Sequence, residues 1–360
     1  MFRWQFMLGF LGLSLLVPDA HAGILNWRQI NRVNMKLHGQ VLDFTANHGH
    51  DNRIWSPALC KHRDLYVYLP PGYSPDKKYP VGFFLHGSNQ DEQFFLEQPV
   101  ELFDRAIACG ELPPVVVVAP DGSIMGRPSF FNSASWWANS RAGNFEDYLM
   151  QDVWNFVMEN FSIDPRREAH AMLGVSMGGS AAYAHSMKYK DRIKICCGFM
   201  PALNLRWVDC HGHYERKFDP NCWGWREETC PLEVIGRPGL GIIKLRYCTL
   251  FGPACGRGPE SVAELSRINP IEIMERTNLQ DKELDLYVAY GGKDEFQMDA
   301  QVESFLFLAR QRGISVAVDY DPRGRHDVAT GVRQFPAAIR WVAPLVAQYD
   351  ATPLPAPKSP

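Results

Sequence analysis

No run of Lys and Arg occurs anywhere in the 360 residues, and the 37 basic side chains face 40 acidic ones, for a formal net charge of −3. Affinity for phosphate backbones comes mainly from clustered Lys and Arg, so this balance argues against a nucleic-acid-binding surface. After the N-terminal stretch there is no second long apolar run, and so no further candidate for a membrane span. The chain also lacks an internal repeat of fixed period, which excludes a repeat architecture. Its His and Cys residues show no regular zinc-module spacing: "DCHGHYERKFDPNC" sets Cys210, His211, His213 and Cys222 close together, but in no known ligand pattern. No metal and no organic cofactor is expected.

The chain opens with "MFRWQFMLGFLGLSLLVPDAHAG". Arg3 gives a positive start, Phe6 to Val17 is almost wholly apolar, and Ala20-His21-Ala22 has the small-x-small form of a cleavage site. That apolar run is about 12 residues, against the roughly 20 a span needs. Residues 1–22 are therefore read as a secretory signal peptide, with a soluble mature protein sent to the periplasm or outside the cell. Nine cysteines follow the cut, and five of them (Cys210, Cys222, Cys230, Cys248, Cys255) fall between 210 and 255. In an exported chain such a cluster reads first as disulfides, with at least one thiol left over because nine is odd.

What is present is an alternation of short apolar runs with longer helical patterns. Strand candidates are 39–45, 63–70, 80–86, 114–120, 169–175, 194–200, 284–290 and 314–320. Several are apolar on consecutive positions, as in parallel strands covered on both faces, while the first two alternate more and suit an antiparallel edge. In "EDYLMQDVWNFVMENF" the residues Leu149, Val153, Phe156 and Val157 recur at helical spacing. "SMGGSAAYAHSMKYK" and "MDAQVESFLFLARQRG" read likewise, the latter closed by Gly313. Repeated strand, helix, strand order implies an α/β fold with a mostly parallel sheet and helices on both faces. One catalytic domain is expected over 23–350. Within it, 201–275 is a Cys-, Trp-, Gly- and Pro-rich insertion, and stretches that long are usually lids or binding loops. "ATPLPAPKSP" at 351–360 reads as an unstructured proline-rich tail.

The chemistry centres on "AMLGVSMGGSAAY". Gly174-Val175-Ser176-Met177-Gly178 is a G-x-S-x-G pentapeptide between an apolar strand and a helical pattern, the setting of a nucleophile elbow. A serine hydroxyl is a weak nucleophile and needs a His base held by a carboxylate, here in the chain order Ser, acid, His. Of the His residues after Ser176, His185 lies down the departing helix, and His211 and His213 sit in the insertion. His326, in the loop "DPRGRHDVATG" after the last strand, is the base expected. Asp294 in "AYGGKDEF" is the first choice of acid, ahead of its neighbour Glu295 and of Asp319 and Asp321. Two N–H donors should complete an oxyanion hole: the backbone of Met177 and that of Ser88 in "LHGSNQDEQ".

With these residues placed, the chain resembles the esterase-D-like branch of the α/β-hydrolases. That branch includes S-formylglutathione hydrolases, siderophore esterases, feruloyl and acetyl-xylan esterases and mycolyltransferase antigens. The stretches that carry the resemblance are "DLYVYLPPGYSPDKKYPVGFFLHG", "NFEDYLMQDVWNFVMENFSID", "AMLGVSMGGSAAYAHSMKY", "YVAYGGKDEF" and "GRHDVATGVRQFPAAIRWV". They run from about 39 to 347 and omit much of 201–275. The resemblance implies an α/β-hydrolase fold and a carboxylic-ester hydrolase without metal or organic cofactor; it does not choose the ester.

Trp136 and Trp137, in "SFFNSASWWANSRAGN", are candidates to line an acyl or sugar site, because aromatic faces suit both aryl esters and pyranose rings. The competing role for the pair is packing over the sheet edge. "NHGHDNR" holds His48, His50 and Asp51 but reads as a polar hairpin loop. Three functional classes result. The first is a secreted serine esterase acting on small-molecule or polysaccharide-linked esters, with acetyl or feruloyl esters of carbohydrate foremost. The second is an acyltransferase with the same triad and a sugar or lipid alcohol acceptor, and the third a catalytically silent binding module.

Overall fold

Eight strands form the central sheet in the computed structural model: β1 (Gln40–Phe44), β2 (Leu65–Leu69), β3 (Val81–Leu85), β4 (Val116–Pro120), β5 (His170–Val175), β6 (Ile195–Phe199), β7 (Asp285–Gly291) and β8 (Ala317–Asp321). The structure describes residues 29–129, 134–238 and 242–349, with the backbone of Thr352–Pro353. The expected signal peptide and most of the proline-rich tail lie outside them; Thr352–Pro353 pairs with Lys77–Lys78.

The spatial order is β1-β2-β4-β3-β5-β6-β7-β8. β2 runs antiparallel to both neighbours, and every pairing from β4 to β8 is parallel. The eight runs expected from apolar patterning are these eight strands, each within three residues at its ends, and the two alternating ones form the antiparallel edge.

Side-chain alternation divides the core into two layers. Val81, Phe83 and Leu85 of β3 and Val116 and Val118 of β4 point to one face, where they meet Leu149, Val153, Met187, Val302 and Phe305. Phe84, Val117 and Ala119 point to the other and meet Val100, Phe103, Ile107 and Ile339. The first layer is covered by the helical segment 145–160 and by the helices at Met177–Lys188 and Met298–Gln311. The second is covered by α1 (Pro99–Ala108) and the long helix Val328–Val346. In chain order we call Trp154–Asn160 α2, Met177–Lys188 α3, Met298–Gln311 α4 and Val328–Val346 α5.

A π-helical turn at Tyr148–Val153 precedes α2. Regular helical spacing does not foresee it. The wider turn lets Tyr148, Leu149 and Met150 all enter the core, together with Val153, Trp154 and Val157, and Phe156 stays only half-buried.

Residues 201–275 form two short antiparallel pairings, Trp207–Val208 with Gly224–Trp225 and Val234–Gly236 with Leu245–Arg246, followed by helices at Ser261–Ile268 and Pro270–Arg276. The expected disulfide framework reduces to one bridge, Cys210–Cys222. Cys230, Cys248 and Cys255 carry free thiols, as do Cys60, Cys109, Cys196 and Cys197. Apolar burial does the stapling instead: Trp207, Tyr247, Leu250 and Cys255 itself are buried, the last as a small apolar side chain. Among the described residues no helix is long and apolar enough to cross a membrane.

Candidate active site

The turn from β5 into α3 forces Ser176 to φ 55°, ψ −118°, a left-handed conformation that costs a non-glycine residue about 1–3 kcal/mol. The surroundings hold it there. The Ser176 N–H donates to the Phe199 carbonyl at 2.9 Å, and its carbonyl accepts from Ser180 at 3.0 Å. Two glycines make the turn sterically possible. A Cβ on Gly174 would lie 2.3 Å from the Gly178 carbonyl oxygen, and one on Gly178 would lie 2.1 Å from that of Leu85. Helix α3 can thus start directly against the end of β3, with its free N–H groups and positive dipole end at the serine.

His326 and Asp294 reach this serine from two other loops at the carboxyl edge of the sheet. The His326 Nε2 lies 2.9 Å from Ser176 Oγ, and its Nδ1 lies 2.7 Å from Asp294 Oδ2. The Asp294 side chain is fully buried, and its other oxygen accepts the Phe296 N–H at 2.8 Å. Phe296 in turn packs on the imidazole, with ring centroids 4.7 Å apart. Burial pulls the His326 pKa down, but the charge and hydrogen bond of Asp294 and the charges of Glu295 and Asp327 outweigh it, so the net shift is upward. The other acid candidates are engaged elsewhere: Asp321 pairs with Arg333 at 2.9 Å and Asp319 accepts from the Tyr287 hydroxyl. Glu295 is close but binds the His326 backbone N–H at 3.0 Å and the Arg325 guanidinium, leaving the imidazole to Asp294.

The loop after β3 passes over the serine: a Cβ on Gly87 would sit 3.3 Å from Ser176 Cβ. The Gly87 N–H is taken by the Gln90 side chain at 2.8 Å, whereas the Ser88 N–H has no acceptor among the described residues. His86 orients this peptide, a role the sequence reading did not assign. Its Nε2 accepts the Gly122 N–H at 2.9 Å, so the proton is on Nδ1, which donates to the Gly87 carbonyl at 2.8 Å. Because the C=O and N–H of a trans peptide point in opposite directions, holding the Gly87 oxygen fixes the aim of the Ser88 N–H. Burial keeps His86 neutral by pulling its pKa down. The "LHG" triplet at a strand end was the available signal. Replacing His86 with Ala should lower kcat about 10- to 100-fold with KM little changed, as steady-state kinetics on a p-nitrophenyl ester would show; an unchanged kcat removes the orienting role.

The two tryptophans proposed as a substrate wall do not line an open cleft. Trp137 is wholly buried, its indole against Gly122 and its carbonyl accepting from His185 at 2.8 Å. Trp136 is 4% exposed, stacks on Phe251 at 4.6 Å and donates through Nε1 to the Leu250 carbonyl. The pair is core, because flat indoles fill the space between the Ser176 turn and segment 201–275. His185 is accordingly a buried structural residue, and burial lowers its pKa to about 4.

Segment 201–275 is not remote from Asp294 and His326. The Tyr214 hydroxyl donates to the Phe296 carbonyl at 2.7 Å, the Arg237 N–H donates to the Glu295 carbonyl at 2.9 Å, and Gly236 lies against the Phe296 ring. The segment therefore braces the loop that carries Asp294. Donor atoms of Cys210, His211 and Cys222 fall within 4.8 Å of one another, but the two cysteines are joined and offer no thiolate. His48, in the early turn, meets the Tyr66 hydroxyl at 2.6 Å, and Asp51 pairs with Arg53.

A protein family described as "Putative esterase" matches residues 56–351. Endo-1,4-beta-xylanase Y of Acetivibrio thermocellus is 31% identical over 158 residues, 40% of this chain and 13% of that protein. An endo-1,4-beta-xylanase/feruloyl esterase of Xylanibacter ruminicola is 30% identical over 145 residues, 37% of this chain and 19% of that protein. The chain thus matches only a small part of the length of either relative. Among solved structures, a ferulic acid esterase superposes with TM-score 0.61 at 16% identity, covering 86% of this chain and 99% of the other. An S-formylglutathione hydrolase from Agrobacterium tumefaciens superposes with TM-score 0.59 at 18% identity, covering 86% and 96%. At these identities the likeness is one of fold.

Proposed function

We propose, from the premise that the chain belongs to this esterase family, that its hydrolysis of carboxylic esters runs through Ser176, His326 and Asp294. The observation that carries the reading is the line Asp294 Oδ2, His326 Nδ1, His326 Nε2, Ser176 Oγ, with gaps of 2.7 and 2.9 Å. Ser176 Oγ attacks the carbonyl carbon as its proton passes to His326 Nε2. The Met177 and Ser88 N–H groups receive the oxyanion, and Asp294 stabilises the imidazolium. His326 then gives its proton to the leaving alcohol oxygen, the C–O bond breaks, and an acyl-Ser176 ester remains. Water then loses a proton to His326 Nε2 and attacks the acyl carbon, the C–Oγ bond breaks, the carboxylic acid leaves, and His326 returns the proton to Ser176 Oγ.

The alcohol side is assigned to carbohydrate, with acetyl or feruloyl as the acyl group. Support comes from relatives that carry xylanase and feruloyl esterase in their names. Segment 201–275 serves as a fixed wall on the acid-loop side of the site. The N-terminal pattern supports export.

A fluorophosphonate probe should label Ser176 in the intact protein and fail with Ser176→Ala. A screen of acetyl, feruloyl and longer acyl esters of xylo-oligosaccharides should then show turnover on the first two. Absence of labelling sinks the mechanism; turnover confined to long acyl esters sinks the substrate assignment. An added sugar alcohol that outcompetes water for the acyl group at millimolar concentration makes the enzyme a transferase.

The base must be neutral to act, so kcat/KM should rise with pH through the His326 pKa, which lies above the ordinary 6.5. Glu295 is one of the charges that lift it. Glu295→Gln should therefore move the acid limb of the pH–rate profile to lower pH; a limb that stays or moves up contradicts the assignment.

A further inference from the structure

A recess of about 350 Å³ opens in the inserted segment, away from Ser176, between the Gly224–Trp225 strand, the helix Pro270–Arg276 and the C-terminal part of α4. Asp299, near the start of α4, neighbours the acid loop through Lys217, which bonds both Asp299 and the Gly292 carbonyl. Leu308, at the recess, lies nine residues further along, about 14 Å at 1.5 Å per residue.

Trp223 and Trp225 form one wall. They stand two residues apart on an extended stretch and so share a face, with ring centroids 5.4 Å apart at 66°. Both are only half-buried, in contrast to Trp207 across the pairing, which is fully buried. Trp223 is propped from behind by Phe218 and Phe307. The floor is polar and already ordered. Arg206 donates through Nε to the Arg226 carbonyl at 2.9 Å and through Nη1 to Glu272 at 2.8 Å. Glu272 also accepts from the Ser266 hydroxyl and the Asn269 amide. Nη2 of Arg206 has no partner among the described residues, and Glu227 and Glu275 stand exposed at the rim.

We infer that this recess is a second, non-catalytic binding site for a neutral glycosyl unit of a polysaccharide. Fixed aromatic faces with both donors and carboxylate acceptors match a pyranose ring, which offers a C–H face to stack and vicinal hydroxyls to donate and accept. Other ligand classes fit less well. An anionic ligand such as a free aryl acid meets three carboxylates and an Arg already neutralised by Glu272. A cation seeking the indoles meets the Arg206 guanidinium 5.7 Å from the Trp225 ring centre, which occupies that attraction and repels a second positive charge. Because the polar groups are held by the fold, little ordering is needed on binding. The physiological purpose, holding a polymer whose ester is presented at Ser176, rests on the proposed function, but binding can be read without the reaction.

The test is affinity electrophoresis of the Ser176→Ala protein in gels containing soluble arabinoxylan, mixed-linkage glucan or mannan, with xylohexaose titrated against Trp fluorescence. Retardation by at least one neutral polymer is expected. Adding Trp225→Ala should weaken binding at least about tenfold. In an otherwise wild-type background, Trp225→Ala should leave p-nitrophenyl acetate hydrolysis unchanged, which also reports the fold. Should that variant not fold, the rim pair Glu227→Ala with Glu275→Ala, both exposed, should still weaken retardation several-fold. No retardation by any of the three polymers overturns the inference, as does retardation untouched by every variant. Binding of a polyamine in place of glycan overturns it too. A wild-type protein that binds polymer but hydrolyses no ester would count against the triad assignment and leave this inference standing.

Discussion

Ser176→Ala is expected to lower kcat on short p-nitrophenyl esters by about 10⁴- to 10⁶-fold, with KM changed by no more than a few-fold. The side chain removed is small and half-buried, and the turn is held by backbone bonds to Phe199 and Ser180 that alanine keeps. The substitution therefore takes away the attacking oxygen without disturbing the fold. Residual activity should come from the donors of Met177 and Ser88, which stay in place to polarise the carbonyl for attack by water. Because Ala tolerates φ 55° no better than Ser, thermal stability should change little. A variant that keeps even a tenth of wild-type kcat would show that another group is the nucleophile.

Asp294→Asn should cost about 10⁴-fold in kcat, and the local hydrogen bonds dictate why. One carboxylate oxygen accepts the Phe296 N–H at 2.8 Å and the other faces His326 Nδ1 at 2.7 Å. An asparagine must turn its carbonyl oxygen to Phe296, which leaves its NH₂ pointing at Nδ1. That nitrogen then has to accept, so the ring proton moves to Nε2, which can no longer take a proton from Ser176. Size and packing are preserved, so the loss is one of tautomer. Asp319→Asn and Asp321→Asn should stay within about twofold of wild type, since neither carboxylate faces the imidazole. Loss of activity in either of these with Asp294→Asn active would reassign the acid.

The sheet was legible because its strands are short and several are apolar on consecutive positions: "PVVVVAP" can satisfy its side chains only between two covered faces. Ser176, Asp294 and His326, the proposed triad, stood out as candidates for a related reason. Each stands just beyond an apolar strand, and parallel strands deliver all their carboxyl ends to one edge. The choice of Asp294 over Glu295 was harder. It rests on which carboxylate the Phe296 N–H and the imidazole both reach, a matter of loop path.

Other features were hidden for identifiable reasons. The π turn at Tyr148–Val153 arises because three consecutive large residues all find room in the core, and a 3.6-residue period cannot express that. The tandem tryptophans suited a substrate wall and packing over the sheet edge equally well, because composition does not say which side of a loop is covered. Phe251 and Leu250, more than a hundred residues away, cover Trp136. Cysteine spacing suggested several bridges, but bridging needs close Cβ atoms, and in the structure only Cys210 and Cys222 are joined.

The α/β layering and the strained serine turn follow from the sequence, through local period and glycine sterics, and chain order singles out His326 as the expected base. Tertiary contacts alone set the hold of His86 on the Gly87 carbonyl, the bracing of the Asp294 loop by segment 201–275, and the half-exposure of Trp223 and Trp225 where Trp136 and Trp137 are buried. Those outcomes depend on contacts between residues distant in the chain, and a hydrogen-bond direction or a buried face exists only once both partners have been brought together.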